Sequence, residues 1–315
     1  MTTTVGIFLE SHGDVDTLWE QCDEPYGMHR GLALRGNDAS ADHILVIGLP
    51  YRPGPRPKLP TGERLKAKVS GDSGRRKLVA AWEALGVPKE RTSVLFYEPS
   101  PYVKDDYYDV ARQFAHRVYG TDDRADKPVT LGSMWLVEGQ LRELRDSGPC
   151  EKTVPLAVVS SGKNFLPGHG PRLGFFEKLH AAGVPLAAFG RGLPPAVRSQ
   201  GSVRYKRGVL DPARFALALE NHIESPHYIT EKLWDALLCW CLPFYFGHEA
   251  VNDLVPEDCY IRLPDLDDAG VAVVKDALAN PGLWDERREA IAEARRRILG
   301  DMRMVEWIRR EIVGA

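Results

Sequence analysis

Phe215-Ala216-Leu217-Ala218-Leu219 and Leu242-Pro243-Phe244-Tyr245-Phe246 bracket the run Thr230-Glu231-Lys232-Leu233-Trp234-Asp235-Ala236-Leu237-Leu238-Cys239-Trp240. Each flanking run is short and continuously apolar, the pattern of a strand buried on both faces. Between them, Leu233, Ala236, Leu237 and Trp240 fall on one helical face behind Thr230, a good N-cap. A strand, a polar loop, a capped helix and a second strand make a βαβ unit, and repeated βαβ units make a doubly wound parallel sheet. The free N–H groups of the first helical turn and the Lys232 side chain then share one spot beside the loop leaving Leu219, which suits a diphosphate. As bare pattern, Glu231 and Lys232 are equally the first-turn charges of an ordinary helix.

Outward from this unit the same alternation recurs. Val154–Val159 reads as a strand, 173–182 as a helix and 185–189 as a strand, so the second half is one Rossmann-like domain. In the first half, Thr4–Leu9, His43–Ile47 and Ser93–Tyr97 read as strands, Arg76–Leu85 as a helix stopped by Gly86 and Pro88, and 108–119 and 134–145 as further helices. Asp146-Ser147-Gly148-Pro149 breaks the chain between them. The expected fold is α/β and GT-B-like, with two Rossmann-like domains facing across a cleft: 1–149, 150–300, and 301–315 as a C-terminal helix packing back on the first. The pattern over 285–313 is helical with mixed charge, which predicts a solvated face. Pro50–Pro60 reads as an exposed loop at the carboxyl edge of the first sheet, where such folds bind ligands.

The 315 residues, 43% hydrophobic, are enough for two cores, and a net charge of −3 gives no overall cationic field for nucleic acid or anionic lipid. No apolar run reaches the roughly 18–20 residues of a membrane span, and no basic flank with an apolar core opens the chain, so the expected location is cytoplasmic. Five scattered cysteines without C-x-x-C or zinc spacing read as reduced and structural.

The wording of the central segment goes further. Phe215 through Glu220-Asn221, then Pro226-His227-Tyr228-Ile229-Thr230-Glu231-Lys232-Leu233, resembles the signature of the α-1,3/4-fucosyltransferase family: Phe-Glu-Asn-Ser, a short spacer, then Asp-Tyr-Ile/Val-Thr-Glu-Lys-Leu. Ala236-Leu237, Leu242-Pro243, Gly247 and Pro256–Ile261 continue the likeness. Upstream, Ser160-Ser161-Gly162-Lys163-Asn164 through Pro171-Arg172, and Phe189-Gly190-Arg191, are similar to the family's strand-end and turn motifs. Leu219, His222 and His227 replace the family's Phe, Ser and Asp, and the spacer before Tyr228 is one residue longer.

The resemblance implies a nucleotide-sugar site for GDP-fucose, with Arg172 and Lys232 on the diphosphate and Asn221, Tyr228, Glu231 and Glu220 on the nucleotide or sugar. Further candidates nearby are Ser161, Asn164, His169, Arg191 and His222. It implies no cofactor and no metal; the partners are the donor and a saccharide or small-molecule acceptor, not nucleic acid. Transfer with inversion needs a base for the acceptor hydroxyl. Glu98, in Phe96-Tyr97-Glu98-Pro99, is similar to the family turn that carries it, with Glu10 and His12 after the first strand as rivals. The expected activity is inverting transfer of fucose. A different GDP-linked sugar, and a non-catalytic nucleotide-sugar-binding scaffold or sensor, stay open beside it.

Overall fold

A computed structural model describes residues 2–9, 15–50, 73–99, 102–130, 133–280 and 282–315. Two compact units divide the chain, Met1–Leu131 with Met304–Ala315, and Gly132–Arg303.

In the first unit, β1 (Thr3–Leu9) lies between β3 (Leu32–Gly36) and β4 (His43–Ile47), parallel to both, with β2 (Met28–His29) antiparallel to β3 at one edge. Parallel to β4 follow β5 (Thr92–Phe96), β6 (Arg117–Gly120) and β7 (Lys127–Pro128). The sequence reads β1, β4 and β5 because each is a continuous apolar run; the helix expected over 108–119 ends instead at Phe114, and Ala115 turns extended. Val118 and Tyr119 are buried as β6 pairs with β5, and sheet pairing of a β-branched and an aromatic residue outweighs one more helical turn.

Met304–Ala315 belongs to this first unit. His29 is fully buried there, its Nδ1 3.0 Å from Asp23 and its Nε2 3.1 Å from Glu306, while Tyr119 Oη donates to the Glu311 carbonyl at 2.9 Å.

In the second unit, β8 (Val154–Val159) pairs with β9 (Leu186–Phe189) on one side and β10 (Ala213–Leu219) on the other, followed by β11 (Leu242–Phe246) and β12 (Ile261–Arg262), all parallel. The chain runs outward from β8 to β9, then crosses back to β10, so the strand order reverses between β8 and β10. Loops splay apart at such a reversal and leave a crevice at the carboxyl ends.

This unit begins earlier than the break at Asp146–Pro149 suggests, because Trp135, Val137, Leu141 and Leu144 pack into its core. Of the helix expected over 134–145 only Leu141–Asp146 forms, with Gln140 and Glu143 capping its N-terminus reciprocally. Gly139 at φ +128° and the Leu136 amide, held 2.7 Å from Asp235 Oδ1, keep the preceding stretch irregular.

The helix Glu231–Leu238 begins at Thr230, whose hydroxyl accepts from the Lys232 amide, and ends in a Schellman motif: Cys241 N–H reaches the Ala236 carbonyl and Trp240 N–H the Leu237 carbonyl. Trp240 occupies the left-handed position, φ +58°, where glycine is usual. Its ring lies under the Arg295 guanidinium, 4.4 Å from centroid to Cζ.

The mixed-charge C-terminal stretch is not one solvated helix. It breaks between Arg288–Ile298 and Met304–Trp307, and Arg295, Arg303 and Glu306 are buried. Arg295 donates to the carbonyls of Leu238, Leu144 and Ser147, closing helix ends that have no intrahelical donors. Among the described residues no helix is long and apolar enough to cross a membrane.

Candidate functional site

The crevice between β8 and β10 is built on close backbone contact. A Cβ on Gly168 would stand 2.1 Å from the Asn221 carbonyl oxygen, and one on Gly162 would stand 1.6 Å from that of Gly192. Glycine is therefore required at both positions for the loop after β8 to meet the loops after β10 and β9. Gly168 opens the helix His169–Ala181, and its first turn carries Arg172 inward to 4% exposure. Arg172 donates to Asn221 Oδ1 and, at 3.0 Å, to the Ser161 carbonyl. Its Nε is buried without a partner among the described residues. Burial holds the guanidinium below its ordinary value, against the pull of Tyr228, Glu220 and Glu231.

Across the crevice Glu220, fully buried just past β10, accepts from the Thr230 amide at 2.8 Å, from its hydroxyl at 2.7 Å and from Lys232 Nζ at 3.2 Å. Lys232 also lies 3.6 Å from Glu231 and donates to Thr230 Oγ1 at 2.9 Å. Burial alone would lower the Lys232 ammonium, but Glu220 and Glu231 override it and raise it. For Glu220 burial dominates and raises the carboxyl, Lys232 opposing. Glu231 feels the same burial, yet Lys232 and Lys206 outweigh it and hold its carboxyl low.

One turn further along the helix, Asp235 pairs with Lys206 at 2.5 Å; burial pushes its carboxyl up to about 6 despite Lys206. Arg172, Lys206 and Lys232 thus stand against Glu220, Glu231 and Asp235, three charges of each sign. Lys206 and Asp235 escape the sequence reading. The available signal is an acid set inside the otherwise apolar Leu233-Trp234-Asp235-Ala236-Leu237-Leu238, where a buried charge requires a partner.

The structure brings Arg172, Asn221, Glu220, Tyr228, Glu231 and Lys232 together, but in differing roles. Tyr228 is buried, its ring edge-on to His222 at 6.0 Å, and His222 pairs with Glu224 at 2.8 Å. Ser161 contributes its carbonyl rather than its hydroxyl to Arg172. Asn164 and Arg191 are exposed, Arg191 giving its carbonyl to the Gly162 amide at 2.8 Å. His169 is 3% exposed, and its Nδ1 accepts from the amides of Phe165 and Leu166. Burial, followed by Arg172, Lys163 and Lys232, pushes its imidazole down to about 4. Among the described residues no group of three or more His, Cys, Asp or Glu is disposed to hold a metal ion.

In the first unit Glu98 follows β5 at the carboxyl edge and lines a small recess with Gly48, Leu49, Tyr102, Val103 and Tyr107. Glu10 and His12, like most of the Pro50–Pro60 loop, lie outside the described residues.

Comparison with known proteins bears on the second unit above all. Residues 151–274 match the family model described as glycosyltransferase family 10 (fucosyltransferase) C-term. No curated protein sequence matches the chain. Among solved structures the chain is similar to an α-glucosyltransferase in complex with UDP and a 13-mer DNA, with TM-score 0.60 and 11% identity over 94% of this chain and 96% of that one. It is similar to T4 phage BGT in complex with UDP and Mn2+, with TM-score 0.57 and 11% identity over 99% and 100%. An α1,3-fucosyltransferase gives TM-score 0.49 and 16% identity over 91% and 82%. At these identities the structural likeness is one of fold, the α/β GT-B class.

Proposed function

We propose, for a chain whose residues 151–274 match the glycosyltransferase family 10 (fucosyltransferase) C-terminal model, that the crevice between β8 and β10 binds a GDP-sugar, GDP-fucose first among them, and that the sugar passes with inversion to an acceptor hydroxyl. The observation that carries the reading is the convergence of a buried Arg172 and of Lys232 at the carboxyl ends of adjacent parallel strands, inside the family-matched segment. Two fixed cations neutralise a diphosphate as it leaves, in a setting of low polarity where each counts for more than in water. Asn221, Tyr228 and Glu231 then hold the nucleotide or sugar. Glu220 acts from behind, fixing Thr230 and Lys232. Glu98 is the proposed base, as the resemblance implies.

Titration calorimetry with GDP, UDP and dTDP tests the donor. GDP is expected to bind, and Arg172→Ala is expected to weaken it by about 100-fold, the loss of a charged phosphate contact. Equal affinity for the three nucleotides, or an unchanged Arg172→Ala, would sink the assignment. Turnover of GDP-fucose by wild type but not by Glu98→Gln separates an enzyme from a binding scaffold. The pairing of His222 with Glu224 in the lengthened loop before Tyr228 favours, as second reading, a different GDP-linked sugar; a panel of GDP-hexoses decides between them.

A further inference from the structure

His169 belongs to neither cation of the proposed diphosphate site, yet its ring is fixed at three points. Nδ1 accepts two backbone amides, Phe165 N–H at 3.3 Å and Leu166 N–H at 3.2 Å, and the Phe165 ring stands edge-on 4.9 Å away. A nitrogen that accepts two N–H groups carries no proton, so the neutral ring bears its hydrogen on Nε2. Rotating the ring to expose Nδ1 would abandon both amides. Protonating it would place a fourth positive charge beside Arg172, Lys163 and Lys232, the charges that act on it. The imidazole is thereby restricted to one form, a neutral donor at Nε2.

No described residue accepts from that Nε2. Arg172, in the same first turn of the helix, buries an Nε that has no partner among the described residues. A buried donor left without an acceptor is costly, and at Arg172 a ligand oxygen would satisfy it. The buried Arg172 Nε and the His169 Nε2–H, standing among Arg172, Lys163 and Lys232, together suit an anionic oxygen.

We infer that His169 donates from Nε2 to a non-bridging oxygen of the donor's diphosphate, a neutral contact set among the cations. The inference rests on the reading of this crevice as a nucleotide-diphosphate site. Its chemical use follows from the fixed form. As the bond from the anomeric carbon to the diphosphate oxygen breaks, its electron pair stays on the leaving group, and a preset N–H strengthens as that charge grows. Because the ring is neutral throughout, its contribution does not titrate across the physiological range.

Two substitutions separate this contact from a role in holding the loop. His169→Asn keeps an acceptor for the Phe165 and Leu166 amides but removes the distal donor, whereas His169→Gln keeps a donor near the Nε2 position. GDP affinity by calorimetry is expected to fall about 10-fold in His169→Asn and to stay within about 3-fold in His169→Gln, with kcat for GDP-fucose falling about 100-fold in the first. Imidazole 15N shifts at pH 7 should show a bare Nδ1 and a protonated Nε2. Equal loss in both variants, no loss in His169→Asn, or a ring that titrates between pH 6 and 7 would each overturn the assignment. Should wild type bind GDP and Arg172→Ala lose it while His169→Asn binds normally, the His169 contact alone is wrong. If wild type binds no GDP, the underlying site reading fails and the contact with it.

Discussion

Replacing Lys232 by Met keeps the aliphatic stem, which is about four-fifths buried, and removes the charge 3.2 Å from Glu220 Oε2. At an effective dielectric constant near 20, two unit charges at that separation attract by about 5 kcal/mol. The Glu220 side chain has no exposure to water at all, so the lost partner is not replaced by solvent. Stranding a buried carboxylate in this way typically costs about 3–5 kcal/mol. The Thr230 amide and hydroxyl still bond to it and place the expected loss nearer 3. For a unit of this size each kcal/mol moves the melting temperature by about 2–4 °C, so the transition of the second unit should fall by roughly 6–12 °C.

Glu220→Gln alone should be mild, about 1 kcal/mol, since the amide oxygen still accepts from Thr230 and Lys232 keeps Glu231 at 3.6 Å. Combined, the two changes should cost about 2 kcal/mol less than their sum, because the second removes the carboxylate that the first stranded. GDP binding should stay lost in the double variant despite the recovered stability. Scanning calorimetry of the four proteins reads the cycle. Additive losses, or a single Lys232→Met within about 2 °C of wild type, would falsify the claim that Lys232 is the charge that lets Glu220 be buried.

Asp235, up to about 6, and His169, down to about 4, give opposite pH slopes. An acid raised in the folded state lends stability below its unfolded value near 3.9 and loses it as pH climbs to 6; a histidine lowered in the folded state lends stability above 6.5 and loses it as pH falls to 4. Asp235→Asn should therefore steepen the loss on acidification between pH 6 and 4, and His169→Gln should flatten or reverse it, each by about 2–3 kcal/mol relative to wild type, measured by urea unfolding at fixed pH. Trp240→Gly should relieve about 1 kcal/mol of left-handed strain but lose the ring under Arg295 and its bond to the Ser147 carbonyl at 3.1 Å, for a net loss of about 1–3 kcal/mol in thermal unfolding. A more stable variant would show the strain to dominate. His29→Leu removes the group shared by Asp23 and Glu306, and amide exchange over Met304–Ala315 should quicken at least about 10-fold; unchanged exchange would mean that Arg30 and Arg309 hold Glu306 without it.

The strands that the sequence shows plainly are those buried on both faces. β1, β4, β5, β8, β10 and β11 each present a continuous apolar run, and that signal does not depend on neighbours. Of the remaining strands only β9 is read from the sequence; β2, β3, β6, β7 and β12, at or next to a sheet edge, are decided by pairing. Arg117–Gly120 carries only Val118 and Tyr119 as apolar residues and follows a helix without a breaker, so nothing local distinguishes one more turn from a strand along β5. The same limit applies to the boundary between the units. Asp146–Pro149 is the strongest local break, but Trp135, Val137, Leu141 and Leu144 assign the preceding segment to the second core through contacts distant in sequence.

Charge is legible in the sequence; pairing is not. Read residue by residue, Lys232, Arg172, Glu220 and Glu231 are each available to a ligand, and the reading distributes them over phosphate, nucleotide and sugar. Folded, the six charges of the crevice balance one another, and Glu220 has no exposed surface with which to meet a ligand. A diphosphate entering a cluster that is already neutral cannot simply be added to it. Lys232, raised by two carboxylates at 3.2 and 3.6 Å, must divide its charge between them and the phosphate, and the less exposed of the two anions resists that division most. The stability of the empty site and its affinity for a donor are therefore drawn from the same ammonium group. This is why a substitution at Glu220, which no ligand touches, should change the affinity for GDP as surely as one at Lys232.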